Sequence, residues 1–196
     1  FERLERQAKM QNYRLEEEYT YADVIQQENS TILDAGCGSG EPLAKYFINA
    51  GFIVTGFDFS EAMIDLCQSR FPNNKWFTAD MRNLSLKSLY DCVIAWHSFF
   101  HIPKEQQKDV LANLCSLVKN DGLLCFTSGI ENGEVWSNNG GEMLYHASLA
   151  SREYKTILSN NNMKVIAHNV SDPDCGNATV WVAQKATDLE ANTINT

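Results

Sequence analysis

Three acidic residues each close a short apolar run. Asp34 ends Ile32-Leu33-Asp34, Asp58 ends Gly56-Phe57-Asp58, and Asp80 ends Phe77-Thr78-Ala79-Asp80. The first is followed by Gly36-Cys37-Gly38-Ser39-Gly40. Glycines let the backbone approach a ligand closely, and a helix starting after such a turn offers free N–H groups. An acidic side chain about twenty residues past a glycine turn can accept both hydroxyl protons of a ribose, and Asp58 stands there. Asp80 can accept from an adenine amino group, with Met81 packed on the ring and Met63 nearby. A dinucleotide fold spaces its glycines G-x-G-x-x-G. The third position here is Glu41, whose carboxylate would repel a pyrophosphate. The expected ligand is a nucleoside that carries positive charge.

A second set of polar residues follows a later apolar run. Trp96, His97, Ser98 and His101 come directly after Tyr90-Asp91-Cys92-Val93-Ile94-Ala95. Ligands of open α/β sheets sit beyond the carboxyl ends of the strands, so these side chains are expected near the reacting atoms. Glu142, Tyr145 and His146 bring polar groups into an otherwise apolar stretch at 140–149, and Asp172-Pro173-Asp174-Cys175-Gly176 precedes Thr179 and Trp181.

The elements that position these residues can be read from periodicity. Apolar runs at 31–35, 53–57, 75–79, 92–96 and 123–127 alternate with helical stretches at about 41–50, 61–71, 104–118 and 151–160. Alternation of this kind predicts an α/β fold with a doubly wound, mainly parallel sheet. Gly51 suits a helix C-terminus and Pro72 stops the next helix. Runs at 163–169 and 178–184 are joined by a turn-rich segment with no helix. They must pair antiparallel, so the last strand runs against the others. Residues 1–30 read as a helical cover or lid, 31–185 as the main domain and 186–196 as a disordered tail.

Bulk properties narrow the partners. The chain has 196 residues, enough for one domain with a real core, and 44% are hydrophobic. Its formal charge of −9 repels phosphate backbones, which argues against nucleic acid. No uninterrupted apolar stretch suggests a membrane span. Cysteines stand at Cys37, Cys67, Cys92, Cys115, Cys125 and Cys175 with no Cys-x-x-Cys spacing. Free thiols in a reducing cytoplasm are therefore expected, with neither a disulfide framework nor a zinc site. No acidic cluster is placed to bind another metal. Monomer and homodimer are both compatible with the sequence.

Over roughly residues 31–184 the chain resembles the class I S-adenosylmethionine-dependent methyltransferases, a Rossmann-like fold with seven strands and an antiparallel last strand. Residues 32–40 resemble that family's first motif, Gly56-Phe57-Asp58-Phe59-Ser60 its second-strand motif, and Ala79-Asp80-Met81 its third. The resemblance implies S-adenosylmethionine as cofactor, whose sulfonium and ammonium suit acidic neighbours. It assigns Asp34, Gly36, Cys37, Gly38 and Gly40 to the methionine end. Asp58 is assigned to the ribose and Asp80 to the adenine, and Phe59, Met63 and Met81 are expected to complete the cofactor site. Trp96 falls near the transferred methyl. The three acceptor-side segments resemble a subgroup of small bacterial methyltransferases whose fourth-strand loop reads Trp-Asp-Ser-Phe-Phe-His. His97 stands here where that pattern has Asp.

The expected chemistry is in-line methyl transfer to a small-molecule acceptor, with acceptor, methyl carbon and sulfur collinear. A hydroxyl acceptor needs a base, and His97, with an ordinary pKa of roughly 6.5, is the first choice; His146 is the second and His101 a lesser one. Ser98, Glu142 and Tyr145 are expected to face the acceptor with these histidines. The lid would combine the N-terminal segment with residues 133–149. A non-catalytic S-adenosylmethionine sensor or partner subunit is the other reading the motifs permit, and a nicotinamide oxidoreductase is disfavoured by Glu41.

Overall fold

The computed structural model describes residues 29–139, 141–173 and 177–187. The chain enters on β1 (Thr31–Ala35) and continues through α1 (Leu43–Asn49), β2 (Ile53–Asp58), α2 (Glu61–Arg70) and β3 (Lys75–Thr78). A 3-10 turn at Met81–Asn83 leads to β4 (Tyr90–Ala95), and a second at Phe99–His101 leads to α3 (Lys104–Ser116) and β5 (Val118–Ser128). There follow β6 (Gly133–Asn139), β7 (Glu142–Ser148), α4 (Ser151–Asn160), β8 (Met163–Asp172) and β9 (Ala178–Lys185).

Seven strands form one sheet in the order β3-β2-β1-β4-β5-β9-β8. The strands from β3 to β5 pair in parallel, whereas β9 runs antiparallel to both β5 and β8. The expected doubly wound sheet with its reversed last strand is thus observed. β9 lies inside the sheet and β8 forms the edge. Strand order reverses between β1 and β4, so a crevice opens at the carboxyl ends of these two strands, where open α/β sheets bind ligands.

Each face of the sheet carries a core. On one, α3 and α4 bury Leu111, Leu114, Tyr154 and Leu158 against Leu33, Val93, Phe126 and Trp181. Phe126 and Trp181 lie parallel with centroids 5.7 Å apart, and Tyr154 meets both rings edge-on. On the other face, Ala44, Ile64 and Cys67 from α1 and α2 pack on Ile32, Val54, Trp76 and Ile94. Gly56 makes that packing possible: a Cβ there would lie 2.3 Å from the Trp76 ring.

The amino ends of β1, β4 and β5 are tied together by polar contacts. Asp91 accepts from the Thr31 N–H and hydroxyl, each at 2.7 Å, and from Lys119 Nζ at 2.8 Å. That anchor lies at the opposite end of the strands from the crevice.

Element bounds depart from the sequence reading where local chemistry intervenes. α1 starts at Leu43 and not at 41, with Pro42 in the N-cap position. The segment expected to form part of a lid is a β-hairpin. β6 and β7 pair antiparallel from Gly133↔Ser148 to Asn139↔Glu142, outside the main sheet. The expected N-terminal helix (1–28), the tail from 188 and Cys175 lie outside the described residues. Among the described residues, no helix is long and apolar enough to cross a membrane.

Trp181 is fully buried between both aromatic neighbours and β8. Trp181→Ala is expected to lower stability by about 3–5 kcal/mol, measured as a shift of the urea midpoint at unchanged slope.

Candidate functional site

The turn after β1 is folded back onto β2. The N–H groups of Gly36 and Cys37 both donate to the Phe57 carbonyl, at 2.8 and 3.0 Å. Gly38 N–H donates to Asp58 Oδ2 at 2.9 Å, and Asp58 Oδ1 accepts from Ser60 N–H at the same distance. Gly36, Gly38 and Gly40 all have positive φ, at 78°, 52° and 77°. Two of them also lack room for a side chain. A Cβ at Gly36 would lie 2.4 Å from Ser98 Cβ, and one at Gly40 would lie 3.0 Å from the Phe71 ring. At Gly38 a Cβ would meet nothing within 4 Å among the described residues, so this glycine borders open space there.

The turn's carbonyls are held from behind by α2. The Cys67 thiol donates to the Gly38 carbonyl at 3.2 Å, and Arg70 Nη1 donates to that of Ser39 at 3.0 Å. Cys37 Sγ lies 4.0 Å from Cys67 Sγ, and burial pushes both thiols up in pKa. Glu41 points away from the turn, to Lys45 at 2.7 Å and Arg70 at 3.4 Å.

Asp34, the penultimate residue of β1, lies just before this turn and is 4% exposed. Burial, and then the neighbouring charge of Asp58, raise its pKa to about 7. Among the described residues no cation pairs with it. Phe59 and Met63, beside Asp58, are exposed apolar side chains at 74% and 38%. Asp80 caps the 3-10 turn that follows β3 by accepting from Arg82 N–H at 2.9 Å, and its carboxylate also pairs with the Arg82 guanidinium. Those hydrogen bonds hold it below the usual carboxylate range. Met81 is buried and reaches toward Gly36.

The end of β4 forms the other wall of the crevice. Ser98 spends its hydroxyl on the Ala35 carbonyl at 2.7 Å, which ties this loop to the glycine turn. His97 has φ 51°, a conformation that side-chain-bearing residues adopt at a cost and that clusters at functional sites. Its N–H is held by Thr127 Oγ1 at 2.9 Å. Its imidazole lies edge-on to Trp96 and to Phe100, with centroids 5.8 and 5.9 Å away. Desolvation and the nearby His101 lower the pKa of His97 and likewise that of His146, so both imidazoles are available as neutral bases.

Beyond His97 lies a cleft of about 450 Å³. His97 and Phe100 line one side, the loop from Gly129 to Asn132 another, and Val135 and His146 of the hairpin a third. Polar contacts dock the hairpin, among them one from Ser148, whose Oγ accepts from Gly129 N–H at 2.6 Å. His101 Nδ1 lies 2.8 Å from the Tyr145 carbonyl. Buried Gln107 donates to the carbonyls of Ile102 and Ala147, at 3.0 and 2.8 Å, and accepts from the Tyr154 hydroxyl at 2.6 Å.

Of the expected acceptor-facing residues, His97 and His146 reach the cleft. Ser98 and His101 are engaged in holding loops together. Tyr145 lies on the other hairpin face, as the neighbour of His146 must on a strand, with its ring edge-on to Trp136. The Glu142 side chain lies outside the described residues. Sequence reasoning missed Phe100, Thr127, Gln107 and Cys67. Phe100 sits inside the loop already singled out, so its neighbours were a usable signal. The other three act through contacts between segments distant in sequence and leave no local mark.

The methyltransferase-domain family profile matches residues 32–122, from β1 to the start of β5. A protein of Geobacillus named as a methyltransferase is 37% identical over 101 residues, covering 48% of this chain and 40% of that protein. The chain thus spans less than half the length of this curated relative. Among solved structures, an S-adenosylmethionine-dependent methyltransferase of Methanosarcina mazei superposes with TM-score 0.72 at 17% identity, over 88% of this chain and all of that one. The 1,6-didemethyltoxoflavin-N1-methyltransferase of Burkholderia thailandensis, solved with its acceptor and S-adenosylhomocysteine, gives TM-score 0.64 at 19% identity over 82% and 72%. At these identities the two structures establish the fold.

The glycines separate by their surroundings. Gly38→Ala is expected to cost about 1–2 kcal/mol, the backbone term alone. Gly36→Ala is expected to cost about 3 kcal/mol or more, because it adds overlap with Ser98; thermal denaturation of the two variants measures the gap. Gln107→Leu is expected to cost about 1–3 kcal/mol by leaving the Tyr154 hydroxyl without its acceptor, read by the same method.

Proposed function

We propose that this chain is a class I S-adenosylmethionine-dependent methyltransferase, as its similarity to methyltransferases in sequence and fold supports, and that it transfers the cofactor's methyl group to a small-molecule acceptor held in the cleft beyond His97. One observation carries the reading: the glycine turn and the cleft lie on either side of the β4 end, with His97 between them.

The residues fit the group. Asp34 is a buried carboxylate beside Asp58, a pair that favours a ligand with an ammonium and a sulfonium and disfavours one with phosphates. Gly38 leaves open space above the turn. Asp58 can accept from the ribose hydroxyls while it holds Gly38, since each carboxylate oxygen has more than one acceptor direction. Phe59 and Met63 supply exposed apolar surface beside it for the adenine, with Met81 behind and Asp80 at its edge. When bound, S-adenosylmethionine supplies a methyl carbon made electrophilic by a positive sulfur, which departs with the bonding electron pair as a neutral thioether.

The chain's own part is position and proton handling. The acceptor's lone pair must approach the methyl carbon from the cleft, opposite the sulfur, at a near-attack separation of about 3–3.5 Å. Thr127 fixes the backbone of His97, so the neutral imidazole faces the cleft and can take the proton an oxygen or nitrogen acceptor loses. His146 stands across Phe100 as the second base. The β6–β7 hairpin closes the cleft's outer wall and excludes water from that side. The free thiols at Cys37, Cys67, Cys92, Cys115 and Cys125 suit a cytoplasmic setting.

Calorimetry tests the cofactor half. S-adenosylhomocysteine should bind and NAD should not, and Asp58→Ala should weaken binding by at least about tenfold, the loss of one charge-assisted hydrogen-bond pair. The Asp34 pKa adds a sign. Because its folded value is raised to about 7, ionised Asp34 opposes folding. Its protonation stabilises the apo chain below the ordinary carboxylate pKa, and that contribution is lost as pH rises to about 7. A cationic ligand favours the ionised form, so affinity should rise with pH up to about 7 and then level off. In Asp34→Asn this dependence should vanish. For the acceptor half, labelled cofactor and a metabolite extract should yield a labelled small molecule, with kcat reduced about 10²–10⁴-fold in His97→Ala. Cofactor binding without any labelled product would instead identify a binding subunit.

A further inference from the structure

The three walls of the cleft converge on two side chains that do not line it. The Tyr154 hydroxyl on α4 donates to Gln107 Oε1 on α3 at 2.6 Å and accepts from Leu149 N–H at 3.0 Å. Gln107 Nε2 holds the carbonyls of Ile102 and Ala147. With two carbonyls facing its nitrogen and a hydroxyl donating to its oxygen, the amide fits only one way round. Ile102 closes the turn that follows His97. Ala147 and Leu149 bracket Ser148 at the end of β7, and the Ser148 Oγ accepts from Gly129 N–H. The loop after β4, the base of the hairpin and the loop after β5 are thus tied to one hydroxyl–amide pair.

Both side chains are sealed from water, Gln107 at 0% and Tyr154 at 1% exposure. A hydrogen bond in such surroundings is strong, and its loss is costly. Burial raises the Tyr154 pKa to about 12, against the opposing effects of the Leu149 N–H and the Ser148 side chain. The hydroxyl therefore keeps its proton for Gln107 at neutral pH. The ring has support of its own. It lies edge-on to Phe99, Phe126 and Trp181, with centroids 6.2, 5.7 and 5.4 Å away, so its placement does not depend on the hydroxyl.

We propose that Tyr154 is a positioning residue of the acceptor site: through Gln107 and Leu149 its hydroxyl sets the spacing between His97 on one wall and His146 on the other, and thereby which acceptors fit. The inference rests on the reading of the cleft as the acceptor site. The bonds involved end at Ile102, Ala147 and Leu149 and do not reach the glycine turn, so cofactor binding should be independent of them.

Tyr154→Phe removes one oxygen and leaves the ring. Transfer of labelled methyl from S-adenosylmethionine is measured against dilutions of a metabolite extract, well below the variant's melting temperature. The extract concentration giving half the maximal rate should rise at least about tenfold, roughly what one buried hydrogen bond contributes, with the maximal rate changed less. S-adenosylhomocysteine affinity should stay as in the wild type, and the NMR signals of the His97 and His146 imidazoles should shift or broaden. Gln107→Leu removes the same bond from its other end and should reproduce this pattern, with little further effect in the double variant. Asp91→Asn, at the far end of the strands, controls for lost stability and should leave the half-saturating concentration unchanged. A lower melting temperature alone, with half-saturation and the imidazole signals unmoved, would overturn the proposal. So would an equal rise in Asp91→Asn, or weakened S-adenosylhomocysteine binding. A wild-type chain that binds S-adenosylhomocysteine but labels nothing would instead overturn the acceptor reading, and the imidazole signals of Tyr154→Phe would still decide whether the hydroxyl sets the walls.

Discussion

The carboxyl end of the sheet depends on the way the chain leaves β1. A strand that ended ordinarily would run out into solvent. Here two successive N–H groups return to a single carbonyl on the neighbouring strand, that of Phe57, and the next free N–H goes to the Asp58 carboxylate. Only a backbone with left-handed residues can make that reversal in so few steps, which is why glycines fill the three positions. The consequences spread outward. The reversal lets Ser98 sit directly against Gly36, which sets where β4 ends. The end of β4 sets His97, and the loop after it receives the hairpin through His101 and Gln107.

The same turn concentrates negative charge. Asp34 is buried just before it and Asp58 is held at its edge, with no compensating cation among the described residues. Burial of an unpaired carboxylate is unfavourable, and the raised pKa of Asp34 expresses that cost as partial protonation. A fold selected only for stability would have an apolar residue there. Functional sites retain such groups because a ligand of opposite charge recovers the cost on binding. On the proposed reading, a cationic cofactor would recover that cost on binding. Cys67 and Arg70 on α2 contribute from behind by holding the turn's carbonyls, so its open side keeps its shape.

Much of this was legible in the sequence, for physical reasons that differ between elements. β1 and α4 appear with the expected bounds, because an apolar run between turn residues and an amphipathic helix are local patterns. The glycine turn was legible because positive φ leaves few residue choices. The hairpin was not. Its Asn139-Gly140-Gly141 segment is a turn signal, but the flanking runs do not alternate, since Val135 and Trp136 are adjacent and so are Met143, Leu144 and Tyr145. Ser98 and His101 have the chemistry of binding residues, and the fold uses them as fasteners. Gln107 lies on a helix whose sequence gives no hint that its side chain bridges two carbonyls across the fold. Thr127 reads simply as strand, yet its hydroxyl fixes the backbone of His97.

The central claim is that the glycine turn holds the cofactor and that the β4 end divides it from the acceptor. Amide shifts on titration with S-adenosylhomocysteine test this most directly. The account predicts changes at Gly36, Gly38, Gly40, Asp58 and Ser60, a smaller effect at His97 and none along β8. Shifts confined to the hairpin or to β8 and β9, with the glycine amides unmoved, would contradict it.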